Sequence, residues 1–495
     1  MNIIPKDAGK TPSYYCTWGA QNAIYSADYM KNPQKYAGGQ GAHVARDNMN
    51  DEAVFGENGM AHQYDKIRGD LYFVLDDGWD VPYDTNPSTH RHEFGSLLLN
   101  EDRFPSCAGT PEVRLQKIND KLKALGWKGA GLWIASQAQG EKAGSELSKE
   151  QAIKYWTERL IWSQKANIEY WKVDWGLHDS SVEFRRMLTQ LGKSVHPGLL
   201  IEQARCMGCT NDNNGRFDNW ENITKENLDI FSFSDVFRSY DVWDQLSAVA
   251  TLDRLAVLLQ GQLEDNALGI INCEDELYLG AALGCSIGIM RNRFNQRKVR
   301  RLDEAIRAVR WQRLAPAFGA GVGNVNISPE TNYDSWYFKD GETYDVRVNN
   351  SEIKQGAPQA ITRGVKLPTI EGSTTPFVVA AKNPSGALSV ATLPRSIVDH
   401  KKTPLCRIEL DAKTPDVPIG IFGYYGQLVL NFDASVEGKK VFAQDLAGDV
   451  AEDVTCGVKL SNNQLTIPGE LITKIGLSCA SKDDKSEPGL VVVLK

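Results

Sequence analysis

The sequence predicts a (β/α)8 TIM barrel followed by a C-terminal antiparallel β-sandwich. From about residue 12 to 322, short apolar runs alternate with stretches of helical period, the pattern of a parallel sheet wrapped by helices. Eight such runs are present, the number a closed barrel needs. After about residue 323 the chain changes to short β-like runs broken by Gly, Pro, Asn and Asp. A chain of 495 residues also exceeds the roughly 250–300 at which single cores stop growing, so two units are expected: a barrel over 1–322, then a linker or insertion and sandwich over 323–495.

The candidate barrel strands are 13–18 (SYYCTW), 71–79 (LYFVLDDGW), 129–136 (GAGLWIAS), 170–176 (YWKVDWG), 198–204 (GLLIEQA), 229–235 (DIFSFSD), 268–273 (LGIINC) and 315–321 (APAFGAG). Helices are predicted where apolar residues recur three and four apart, over 111–126 and 148–166; the first ends in Gly126, and the second opens with Ser148 and Gln151 at capping-box spacing. A third covers 292–314, and its dense arginines read as a solvated face. Toward the C-terminus, 376–393, 419–433 and 489–495 read as strands, with Asn383–Gly386 as a hairpin turn, whereas 323–375 fits neither pattern.

Composition narrows the function. Hydrophobic residues at 42% and charged residues at 24% suit a globular protein, and a net charge of −8 offers no basic excess for a nucleic-acid partner. No apolar run reaches the ~18 residues of a membrane span. The start lacks the apolar core of a signal peptide, so the expected location is cytoplasmic, or secreted or periplasmic if a leader has been removed. The nine cysteines are scattered, and Cys206 with Cys209 forms a C-x-x-C without the second pair that a zinc site needs. His90 and His92 read as loop residues lining the mouth or as surface histidines, and the acids Glu274, Asp275 and Glu276 as helix capping. No metal or cofactor is expected.

In a TIM barrel the working residues stand at the C-terminal ends of the strands. Here acids follow the apolar runs at Asp76 and Asp77, Asp174, Glu202, Asp235 and, slightly later, Asp241. One acid in such a place is commonly an N-cap; acids at four strand ends, with Asp241 as a fifth place just beyond, point to one acidic mouth. Trp18, Trp79, Trp133, Trp171, Trp175 and Tyr240 flank the same places. Aromatic faces pack on the apolar side of a sugar ring while carboxylates accept from its hydroxyls, so the expected partner is a carbohydrate.

The ordered motifs resemble the α-galactosidase clan of glycoside hydrolases, families 27 and 36, with family 27 closer in length. They are Trp18, DDGW (76–79), RFP (103–105), LGWKGAGLW (125–133), KVDWG (172–176), FRSYDV (237–242), NCEDELYLG (272–280, against N-D-P-D-x-L-x-x-G) and RWQRLAPAFGAG (310–321). The resemblance implies a retaining exo-glycosidase that releases a terminal α-galactose-like sugar, with Asp174 as nucleophile and Asp241 as general acid and base. It further implies that Lys172 supports the nucleophile, that Asp76 and Asp77 accept from hydroxyls remote from the reacting carbon, and that Arg238 contacts the 2-hydroxyl, while Trp18 and Trp133 line the site.

Two departures leave alternatives open. Arg238 stands three residues before Asp241 where the family has four, which makes Asp235 a rival general acid. Glu202 and Arg205, in EQARCMG, are not the family's usual residues at the 2-position and admit another sugar, a β-L-arabinopyranoside or an α-N-acetylgalactosaminide. A transglycosylase of raffinose-synthase type would share every catalytic residue. A non-catalytic carbohydrate-binding barrel is disfavoured by the pairing of Asp174 with Lys172.

Overall fold

The computed structural model describes the chain except residues 32–43, 206–208, 211–218, 221–222, 240–247, 266–268, 295–299, 320–323, 338–351 and 398–399. Eight parallel strands form one sheet: β1 (Ser13–Cys16), β2 (Leu71–Leu75), β3 (Gly129–Ile134), β4 (Tyr170–Val173), β5 (Leu200–Gln203), β6 (Val236–Arg238), β7 (Ile270–Asn272) and β8 (Gly288–Ile289). β8 pairs with β1, and a parallel bridge between Asn272 and Ser286 brings β7 to β8, so the sheet curls into a barrel.

Side-chain alternation along each strand sorts the two faces. Outward positions such as Tyr15, Phe73, Leu132, Trp171, Val173 and Phe237 are buried under the surrounding helices. Inward positions carry a separate cluster containing Tyr14, Tyr72, Val74, Tyr170 and Val236. The Tyr14 and Tyr170 rings lie 5.5 Å apart, and the Tyr72 and Tyr170 rings 5.2 Å. This phenol layer needs space from its neighbours. A Cβ on Gly131 would meet Val74 at 2.8 Å, and one on Gly288 would meet the Tyr14 ring at 2.7 Å.

Several helix starts match the signals in the sequence. α1 (Pro111–Ala124) has proline in its first turn. α2 (Lys149–Lys165) has the predicted reciprocal capping box between Ser148 and Gln151. α3 (Val182–Val195) is capped by Ser181 and α4 (Lys225–Phe231) by Thr224. Two predicted strands are corrected. Residues 225–231 are helical and the strand follows at 236–238; the eighth strand is 288–289, whereas 315–319 is irregular.

The Arg-rich segment also departs from expectation. Its helix, α5 (Asp303–Trp311), is buried along its whole length. Arg307 makes a two-pronged ion pair with Asp445, at 2.9 and 3.1 Å, joining the barrel to the C-terminal sheets. Beside it, Trp311 packs edge-on to Phe422 and fills the space above Gly420.

The C-terminal part is a sandwich of an eight-stranded and a five-stranded sheet, both mixed rather than purely antiparallel. The hairpin 377–382 with 388–393 turns at Asn383–Gly386 as predicted, with Gly386 at φ +91°. Val378, Val390, Ile408, Ile421, Leu428 and Ile467 belong to the core between the sheets. From the larger sheet, Arg363 donates to the carbonyls of Leu283 and Gly284, at the end of α6 (Leu277–Leu283). Among the described residues no helix is long and apolar enough to cross a membrane.

Because Arg307 and Asp445 are both fully buried, removing one leaves the other charge unpaired. Arg307→Ala is expected to lower the unfolding free energy by about 3–5 kcal/mol in urea titrations. A loss below about 1 kcal/mol, the value of an exposed pair, would contradict the pairing.

Candidate active site

The mouth of the barrel is built on β4. Tyr170, Lys172 and Asp174 point inward at successive levels: a phenol at depth, an ammonium above it, and a carboxylate at the rim. The Asp174 amide donates to the Ile134 carbonyl at 2.9 Å, so its backbone still follows β3. Arg185 of α3 fixes the same strand end from behind, donating to the Val173 and Asp174 carbonyls and to the Gln203 amide oxygen. Burial lowers its pKa to about 10, which leaves it cationic at neutral pH.

The Asp174 carboxylate accepts from the Trp133 indole N–H at 3.1 Å, and the Arg238 guanidinium stands 3.6 Å from its other oxygen. Lys172 lies 3.1 Å from Asp76 and 3.4 Å from Glu274. Burial, which alone would depress this lysine, is outweighed by Asp76, Cys16 and Glu274, so its pKa lies well above the usual range. Asp76 accepts as well from the Cys16 thiol at 3.0 Å and from the Asp77 amide.

Asp77 is held by Arg46 at 2.5 Å. Burial raises the Asp77 pKa despite Arg46. The Arg46 guanidinium lies over the Trp18 and Phe94 rings at 5.6 Å and the Trp175 ring at 5.8 Å. Trp175 in turn stands 5.2 Å from Trp133 and 4.9 Å from Phe94. The wall beside Asp174 is therefore aromatic, with acids and their cationic partners facing it.

Glu202 sits deeper than expected. It is fully buried and accepts from the Tyr170 hydroxyl at 2.8 Å and the Tyr14 hydroxyl at 3.1 Å. Burial raises its pKa to about 7, with Lys172 opposing and Glu274 adding to the shift. Glu274 extends past the end of β7 into the same interior.

Of the residues predicted from sequence, Trp18, Asp76, Asp77, Trp133, Lys172, Asp174 and Arg238 converge on one mouth, with Glu202 beneath. Asp235 does not join them. Because the strand lies after it, Asp235 stands at the opposite end of β6, accepts from the Ile201 amide at 3.1 Å and faces Lys193 of α3. Arg205 turns toward Glu226 of α4 at 3.6 Å. Asp241, Tyr240 and Cys206 lie outside the described residues. Trp79 and Trp171 belong to the core between barrel and helices, donating to the Trp133 carbonyl and the Ser163 hydroxyl.

The acids after β7 do not cap a helix. Asp275 accepts from the Met290 and Arg291 amides and Glu276 makes no cap bond, while Glu274 enters the barrel. Arg46, Arg185 and Phe94 are site residues that the sequence left unassigned, and Glu274 is one that it assigned to helix capping. Glu274 alone carried a signal, an acid directly after an apolar strand.

No protein-family model and no curated protein matches the chain. Among solved structures, it is similar to α-galactosidase I from Mortierella vinacea, at TM-score 0.39 and 10% identity over 97% of this chain and 96% of that one. An α-galactosidase from Saccharomyces cerevisiae with raffinose gives 0.37 and 10%, covering 98% and 94%. A family 27 β-L-arabinopyranosidase from Geobacillus stearothermophilus, in complex with arabinose, gives 0.37 and 11%, covering 98% and 97%. At these scores the likenesses carry no residue-level correspondence, and the chemistry rests on the contacts above.

Glu202 supplies a pH test. Its folded pKa of about 7 exceeds the ordinary 4.5, so the folded state holds a proton that the unfolded chain releases. Its contribution to stability is complete below pH 4.5 and is lost as pH rises through 7. Relative to Glu202→Gln, the wild type is expected to lose on the order of 3 kcal/mol across that window, measured by urea unfolding at several pH values. A difference that stays flat with pH would contradict the assignment.

Proposed function

We propose that the protein is a retaining exo-glycoside hydrolase that releases a terminal α-galactose-like sugar through a covalent glycosyl-enzyme. The observation that carries this reading is the seating of Asp174: a carboxylate at a strand end, one oxygen on an indole N–H and the other facing an arginine, beside an aromatic wall. Such a group is oriented to attack an anomeric carbon. A sugar face stacks on the indoles while Asp76 and Asp77, each steadied by a cation, accept its hydroxyl hydrogens.

In the first step Asp174 attacks the anomeric carbon as Asp241 protonates the leaving oxygen. In the second, Asp241 takes a proton from water, which displaces Asp174. Both steps need the two carboxyl groups about 5–5.5 Å apart. In the sequence Asp241 follows Arg238, the last residue of β6, by three residues; Asp235 precedes that strand and accepts from the Ile201 amide, which favours Asp241 as the general acid. The β-L-arabinopyranoside and α-N-acetylgalactosaminide readings share this mechanism and differ only in the sugar accepted.

The test is a panel of nitrophenyl glycosides containing the α-galactoside, β-L-arabinopyranoside and α-N-acetylgalactosaminide. The wild type is expected to turn over at least one, and Asp174→Ala to lose roughly 10³-fold or more of kcat. Absence of turnover across the panel, or activity surviving in Asp174→Ala, would refute the proposal.

A further inference from the structure

We infer that Glu274 is a positioning residue for the proposed reaction, a buried carboxylate that holds both cations of the mouth in place. The inference rests on the glycosidase reading and adds a residue to it. Glu274 stands where the resembled N-D-P-D motif carries proline, which has no charge to offer. Its carboxylate is fully buried, with Lys172 Nζ at 3.4 Å on one oxygen and Arg238 Nη1 at 3.5 Å on the other.

Each cation also contacts a different mouth carboxylate. Lys172 contacts Asp76 at 3.1 Å, and the second Arg238 terminal nitrogen faces Asp174 at 3.6 Å. The chain Asp76–Lys172–Glu274–Arg238–Asp174 thus joins β2, β4, β7 and β6, and Glu274 is its midpoint. Without the central negative charge, the repulsion between Lys172 and Arg238 would no longer be offset by the carboxylate that contacts both. Both would be drawn toward the mouth carboxylates, displacing Asp174 from its line of attack.

Among the described residues, the groups facing Glu274 are Tyr14 and Cys16 from β1, Lys172 and Tyr170 from β4, Glu202 from β5 and Arg238 from β6. Removing one negative charge from this set favours the ionised form of the acids that remain. The acid limb of the pH–rate profile should therefore move to lower pH.

The experiment compares wild type, Glu274→Gln and Glu274→Asp in full-length protein on whichever nitrophenyl glycoside the wild type hydrolyses. Glu274→Gln keeps the side-chain shape and is expected to lower kcat about 10²-fold with KM within about twofold, the pattern of a misplaced reacting group. Its acid limb moves down, and Glu274→Asp, which keeps the charge, returns the limb toward the wild-type position. A second measurement guards against misfolding: Glu274→Asp, which keeps the charge, is expected to recover most of any thermal midpoint that Glu274→Gln loses. A folded Glu274→Gln with wild-type kcat and pH profile overturns the inference and leaves the glycosidase reading intact. A wild type inactive on every glycoside overturns both.

Discussion

The barrel interior holds charges that water does not reach, and their pairing is the constraint around which the site is built. Lys172, Arg238 and Glu274 are at most 3% exposed in their side chains. An isolated ion in such a place is prohibitively costly, so each must find an opposite charge within the barrel. The pairs available lie on different strands. Closing the ionic chain therefore requires the strands to close as well, which ties the geometry of the mouth to the fold.

Strand alternation makes this arrangement possible. The inward row of β4 sets phenol, ammonium and carboxylate at rising levels, and neighbouring strands supply matching groups at each. At the lowest level, Tyr14, Tyr72 and Tyr170 fill the barrel and turn two hydroxyls onto Glu202. At the rim, Trp133, Trp175 and Phe94 exclude water from one side of Asp174 and Asp77. The C-terminal sheets contribute at a distance: Arg363 meets the end of α6, the helix that follows β7 and its Glu274, and Arg307 locks α5 to Asp445.

Much of this was legible in the chain. Strands β1 to β5 and β7 announce themselves as apolar runs bounded by polar breaks, and the capping box at Ser148 marks a helix start directly. The two misplaced strands have physical explanations. β8 contains two residues, too few to show a period, and before β6 residues 225–231 place Ile230 and Phe231 under the barrel wall as a helix capped by Thr224. The arginines around 307 looked solvated because their acidic partner lies 138 residues away.

The candidate site was legible where one strand carries it. Lys172 and Asp174 share a face by the two-residue period, and DDGW follows a strand visibly. Glu274 and Arg46 were hidden for a different reason: their roles lie in contacts with three other strands or with three rings, which no local pattern encodes. Asp235 was misassigned because the strand was read one element too early, which reversed its end of the barrel.

In the proposed reaction Asp174 forms a covalent bond to the sugar. A fluorinated glycosyl fluoride that forms this intermediate quickly and releases it slowly would test that bond, with intact-protein mass and peptide mapping as the readout. The expected result is one sugar-sized adduct, carried by the peptide containing Asp174 and located on its carboxylate. An adduct mapped to another residue, or turnover that releases the sugar with inverted anomeric configuration and leaves no adduct, would contradict it.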